Sequence, residues 1–296
     1  MVGFRLGLAG ATAAVALTAA AGLITAPAEA APRAKVDFVA IGDSFTAGTG
    51  SGGEFRPAGL PCWQSPPGYP GDLGATGRIN LVTNAACHDA ALSQSSPFYD
   101  GLTPTVTEQI AKLAVSRQLS ATTGMVTITA GGTDVGASKV LGGCAIDPQH
   151  CAGYVDSAVN AAQTLLLPAL VQTYNAIHSQ APNAKIGVVG YVHFFNPSSG
   201  IPTILTPANQ QLVNAGTDKL NAVLAQAAGI AAGEGAKTQY VDAAGKFAGH
   251  EANTTDPWVA FDPTNPTADS NFHPNAAGYI NGYMAAVLSQ LKPAQL

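Results

Sequence analysis

The chain has 296 residues, a net charge of −5 and only 10% charged residues. So sparse and slightly acidic a charge set excludes a phosphate-neutralising surface, so no nucleic-acid partner is expected, and uncharged substrates are favoured. At 47% hydrophobic the chain has enough apolar residues for a sizeable core, arranged as one large α/β domain or two small ones.

The amino terminus reads as an export signal. Arg5 supplies a positive start, Leu6 to Ala26 is an uncharged Ala- and Leu-rich run, and Ala28-Glu29-Ala30 offers small residues at the spacing of a cleavage site. Cleavage is expected after Ala30, leaving one domain over residues 31–296 and a secreted product; a retained membrane anchor is the alternative. Five short apolar runs follow, each ending in small or polar residues: Lys35–Ile41, Asn80–Ala86, Met125–Ala130, Lys185–Val192 and Thr238–Asp242. Helical spacing lies between and after them, over Thr105–Leu119, Tyr154–His178, Ala208–Ala231 and Asn275–Leu291, with Pro168 expected to kink the second. The stretch from Gly48 to Gly74 reads as packed loop. Strands alternating with helices predict a parallel sheet covered on both faces, whose site lies at the carboxyl ends of the strands.

Cys62, Cys87, Cys144 and Cys151 are even in number and follow an export signal, so two disulfides are expected. Local pairing closes short loops and favours Cys62 with Cys87 and Cys144 with Cys151. No Cys-x-x-Cys spacing exists, so a metal site is not expected.

The strand ends carry one set of reactive residues. Gly42-Asp43-Ser44 follows the first strand, Cys87-His88-Asp89 the second and Gly131-Gly132-Thr133-Asp134 the third; Asn271-Phe272-His273-Pro274 precedes the last helix. A free hydroxyl attacks esters poorly and needs an adjacent base, for which an imidazole suits neutral pH. Ser44 is therefore the candidate nucleophile and His273 its base.

These blocks resemble the SGNH (GDSL-type) hydrolases over nearly the whole of the expected mature chain, and most of all the secreted actinobacterial esterase and lipase branch. Phe247-Ala248-Gly249-His250-Glu251 adds to the likeness. The resemblance implies a flavodoxin-like three-layer α/β/α fold with a five-stranded parallel sheet of order 2-1-3-4-5, and ester hydrolysis through an acyl-enzyme without a cofactor. It also implies three oxyanion donors: the N–H of Ser44, the N–H at Asp89 where the family has Gly, and the side chain of Thr133 where it has Asn. A carboxylate about 4 Å from a developing oxyanion costs on the order of 4 kcal/mol at an intermediate dielectric, so that of Asp89 must point away, be protonated or slow the enzyme. Many members carry Asp three residues before the catalytic His; here that residue is Ser270, and its backbone carbonyl is expected to hold the imidazole, with Asp269 as the alternative.

Other signals are set aside. Gly48-x-Gly50-x-x-Gly53 has dinucleotide-loop spacing, but Glu54-Phe55-Arg56-Pro57 follows where a helix should open. His88 beside Asp89 is expected to be structural, because strand neighbours point to opposite faces. His150, His178, His193 and His250 read as structural or surface residues, and the sequon at Asn253 as plain loop. A small-molecule, lipid or polysaccharide ester is the expected substrate class, with no stable membrane span, and a monomer is the expected state. A silent glycan- or lipid-binding relative and an acyltransferase are the competing readings.

Overall fold

The computed structural model describes residues 1–4, 7, 10 and 35–296, and its compact body spans Ala34–Leu296. The expected export signal and the cleavage point after Ala30 fall on residues outside the described ones. The five apolar runs form β1 (Val36–Gly42), β2 (Ile79–Asn84), β3 (Met125–Thr129), β4 (Lys185–Val189) and β5 (Thr238–Val241). All pair in parallel, in the order β2-β1-β3-β4-β5. The central strands are buried along their length because helices cover both faces, which is why they read as continuous apolar runs rather than as alternation.

Right-handed crossovers assign the helices to their layers. Short α1 (Ser44–Ala47) and α2 (Gly68–Gly74) lie between β1 and β2, and α3 (Val106–Val115) between β2 and β3. Then come α4 (Ala137–Ile146), α5 (Cys151–Ala161) and α6 (Leu167–Gln180) before β4, α7 (Pro207–Gly233) before β5, and α8 (Ala285–Leu291) at the end. The chain steps one way from β1 to β2 and the other way from β3 through β5. Accordingly α3, α6 and α7 share one face, while α2 and α8 share the other.

Several local expectations are corrected. The irregularity near Pro168 is a π-helical turn at Ala162–Leu166, and Pro168 itself sits in the first turn of α6, where its missing N–H leaves no bond unmade. A second π-turn, Gly278–Met284, leads into α8. Between Gly48 and Gly74 the chain is not all loop, since α2 forms within it. The helix at α4 was hidden by its weak apolar periodicity.

The topology reverses at β1, whose neighbours are β2 and β3. This is where an open parallel sheet leaves a crevice outside its carboxyl edge. The chain segments after β1, β2 and β3 all open into it.

Candidate active site

Ser44 is placed by the end of β1. Gly42 has φ +139°, and a Cβ there would meet the Thr129 carbonyl oxygen at 2.1 Å, so only glycine lets β1 turn so tightly against β3. Asp43 then caps α1, its Oδ1 accepting from the Phe45 N–H at 3.1 Å. Its other oxygen, Oδ2, accepts the Tyr191 hydroxyl at 2.5 Å, and the Tyr191 oxygen in turn accepts the Gly132 N–H at 2.7 Å. Burial pushes the Asp43 carboxyl up to about 7, against the opposing hydrogen bonds from Tyr191 and Phe45.

The imidazole of His273 meets this serine from the other end of the chain, with Nε2 2.7 Å from Ser44 Oγ. Nδ1 lies 3.1 Å from the Asn271 carbonyl oxygen, which only accepts. That contact fixes the proton on Nδ1 and leaves Nε2 to accept from the serine. The carbonyl facing the imidazole is therefore Asn271's and not that of Ser270, which instead accepts the backbone N–H of His273 at 3.2 Å. The cause is Phe272, whose left-handed φ of 60° turns the preceding carbonyl back toward its neighbour's ring. The Asn271 side chain anchors the turn by accepting from Asp262 N at 2.7 Å and donating to Asn265 O at 2.8 Å. The Asp269 carboxylate faces His88 Nε2 at 3.9 Å.

Burial against Phe45, whose ring centroid is 5.0 Å away, pulls His273 down to about 3. Neighbouring His88 adds to this, while the Asn271 carbonyl and Asp89 oppose it. The segment is braced from two sides. At Gly50 (φ +92°) a Cβ would lie 2.6 Å from the Pro274 oxygen, and the Tyr279 hydroxyl donates to Thr49 O at 2.9 Å. The glycine loop is thus pinned to the His273 segment, with no resemblance to a cofactor cradle. On the far side Trp258 stacks on His250 at 3.7 Å and its carbonyl accepts from Asn275 N at 2.8 Å, which makes the Phe247 to Glu251 motif a buttress.

One cavity of about 490 Å³ is lined by Ser44, His273, Asp89, Thr133, His88 and Asp269 among others. Among the described residues, neither the Ser44 nor the Asp89 N–H has a protein acceptor, and the Thr133 hydroxyl likewise makes no hydrogen bond. Asp89 holds φ 60°, the left-handed region glycine favours. His88 and Asp89 do meet, at 3.3 Å, because they lie in a turn beyond the end of β2 and not in a strand. Residues the sequence did not single out are Tyr191 and Asn271.

The cysteines pair as Cys62–Cys87 and Cys144–Cys151. The first bridges the loop beside the site to the end of β2, and the second joins α4 to α5. His150 and His193 pair with Asp147 and Asp218 at 2.7 and 2.6 Å. Asn253 of the sequon is buried and donates to Asn196 O and Ser199 Oγ, both at 2.8 Å.

Among curated proteins, the chain is similar to a lipase of Streptomyces rimosus, 32% identical over 96% of this chain and 99% of that one. In solved structures it is similar to an extracellular lipase from Streptomyces rimosus (TM-score 0.71, 26% identity, 86% of this chain and 99% of that one). It is also similar to a phospholipase A1 from Streptomyces albidoflavus NA297 (TM-score 0.69, 26% identity, 87% of this chain and 100% of that one). The model of the GDSL-like lipase/acylhydrolase family matches residues 40–279. With that match running from the end of β1 past His273, the chain belongs to the GDSL-like lipase/acylhydrolase family and is an ester hydrolase of the SGNH type.

Proposed function

We propose that Ser44 and His273 act as a catalytic dyad on carboxylic esters, oriented by a backbone carbonyl. The observation that carries this reading is the 2.7 Å separation of Ser44 Oγ and His273 Nε2, within reach for direct proton transfer. Ser44 Oγ attacks the ester carbonyl carbon as its proton passes to Nε2, and the Nδ1–H bond to Asn271 O steadies the imidazolium. The Ser44 and Asp89 N–H groups and the Thr133 hydroxyl receive the oxyanion. His273 then gives the proton to the leaving alcohol. Water attacks the acyl-enzyme with the same imidazole as base, and Ser44 is regenerated.

Esters with an apolar acyl group fit best. A recess lined by Val135, Val140, Leu141, Val159, Phe194 and Leu220 adjoins the cavity and shares Leu141, Phe194 and Leu220 with it. Similarity to proteins named lipase and phospholipase A1 supports the same class. A sugar acetate would leave this apolar wall unused. Export of a single domain over residues 31–296 is supported by the family match, by two disulfides and by similarity to a lipase described as extracellular.

The test is Ser44→Ala assayed on nitrophenyl esters from acetyl to lauroyl, with fluorophosphonate labelling of the parent. Loss of hydrolysis, labelling at Ser44 and a preference for the longer chains are expected. Retained hydrolysis in Ser44→Ala removes the dyad, and a strict preference for acetate removes the lipid-type substrate. Sequencing the product from culture medium checks export, with Ala31 expected first.

A further inference from the structure

The SGNH resemblance implies a glycine donor to the oxyanion at the position of Asp89, and Asp89 lines the same cavity as Ser44, so a carboxylate borders a site where negative charge develops. The backbone of Asp89 keeps the glycine-like conformation and its N–H faces no protein acceptor, so the donor is preserved. The carboxylate is drawn aside: its Oδ2 faces His88 Nε2 at 3.3 Å, and Asp269 Oδ1 approaches the same nitrogen at 3.9 Å.

His88 is built to stay where it is. Its ring stacks on Trp63 with centroids 3.9 Å apart, its Nδ1 meets Thr49 Oγ1 at 3.0 Å, and its own N–H donates to the Trp63 carbonyl at 3.0 Å. Trp63 and His88 each follow a half of the Cys62–Cys87 disulfide, so a covalent bridge brackets the stack. The His88 side chain is 7% exposed, so solvent has little access to it. Its ring lies 5.7 Å from that of His273. Its position suits it to act on the residue beside it.

We propose that His88 is a positioning residue for the oxyanion site: its Nε2 donor holds the Asp89 carboxylate away from the developing charge, leaving the Asp89 N–H free to donate. Residues 88 and 89 then work as a unit, an acid that needs its neighbour to be harmless. This rests on the reading of Ser44 and His273 as the dyad.

The experiment is a double-variant cycle on a short nitrophenyl ester, reading kcat and KM separately. His88→Gln keeps a donor toward Asp89, and His88→Met fills similar space without one. With Asp89 present, His88→Met is expected to lower kcat at least about tenfold at nearly unchanged KM, while His88→Gln stays within about threefold. Asp89→Gly is expected to leave kcat within about twofold of the parent, because the carboxylate is already held aside, and in that background His88→Met and His88→Gln should agree within about twofold. Equal losses for Met and Gln with Asp89 present, or a Met loss that persists in Asp89→Gly, would overturn the proposal. Should neither His88 variant fold, Asp89→Gly alone decides: a drop in kcat of about tenfold shows the carboxylate is used and a rise of about tenfold shows it is not held aside, either of which sinks the idea, whereas a kcat within about twofold of the parent supports it. Fluorophosphonate labelling of Ser44 in the parent separates the two failures, since a labelled serine with an additive cycle discards only the role of His88.

Discussion

The Tyr191 hydroxyl joins Asp43 to Gly132, donating to the carboxylate at 2.5 Å while accepting the glycine N–H at 2.7 Å. The segments after β1, β3 and β4 are thereby tied through one buried phenol, directly beneath the Ser44 turn. Tyr191→Phe keeps the ring that packs edge-on against Phe45 but leaves a buried carboxylate oxygen and a buried N–H each without that partner. Groups stranded in this way cost roughly 1–3 kcal/mol each, more for a charge. A fall in unfolding free energy of about 2–4 kcal/mol is expected in urea titration, and a stability within 0.5 kcal/mol of the parent, an approximate limit for a neutral change, rejects the linkage.

Asp43 also gives stability a pH dependence of unusual sign. Its carboxyl is held at about 7 in the folded chain, against an ordinary 3.8. Between those values the folded state keeps a proton that the unfolded chain releases, so this contribution is full below pH 3.8 and is lost as pH rises to about 7. The slope is about 1.4 kcal/mol per pH unit within that window. Asp43→Asn retains the cap acceptor and does not titrate. Its unfolding free energy relative to the parent should therefore improve from pH 4 to pH 7, the approximate bounds of the window, whereas a relative loss would mean Asp43 is ionised and stabilised in the fold.

The sheet is legible because burial on both faces writes itself into continuous apolar runs, and the end of the first strand points to Ser44, while the block before the last helix points to His273, which the fold brings beside it. What could not be read depends on contacts between distant residues. Tyr191 stands in an apolar run like any core aromatic, and its partner Asp43 is 148 positions away. Asn271 supplies the carbonyl at the imidazole only because Phe272 is left-handed, a backbone state that a bulky aromatic gives no reason to expect. The contact of His88 with Asp89 is illegible for a related reason, since the alternation of strand side chains does not extend into the turn beyond β2. The disulfide pairing followed correctly from loop length, but its placement of Trp63 against His88 had no trace in the sequence.

Under the proposed dyad, the depressed basicity of His273 sets the acid limit of catalysis. A general base works in its neutral form, and burial beside Phe45 and His88 lowers its pKa from 6.5 to about 3. Lowering that value extends the neutral form to more acidic solution. The acid limb of kcat/KM, which reports the free enzyme, is expected below pH 5, about midway in that interval. A midpoint at or above 6.5, the ordinary imidazole value, would mean that the ring is solvated or paired with a carboxylate in the working enzyme.

Under the proposed oxyanion role, Thr133 is the position where a substitution is expected to speed the enzyme. Its hydroxyl makes no protein hydrogen bond among the described residues and borders the same cavity as Ser44, but its arm is shorter than the amide of Asn. An oxyanion donor that falls short in reach forfeits much of its effect, since losing one outright costs roughly 10²–10³ in rate. Thr133→Asn is therefore expected to raise kcat on simple esters by about tenfold, a partial recovery of that range, with KM little changed because the gain appears as charge develops. An unchanged or lower kcat in a variant that still folds and still labels at Ser44 would place the third donor elsewhere in the cleft.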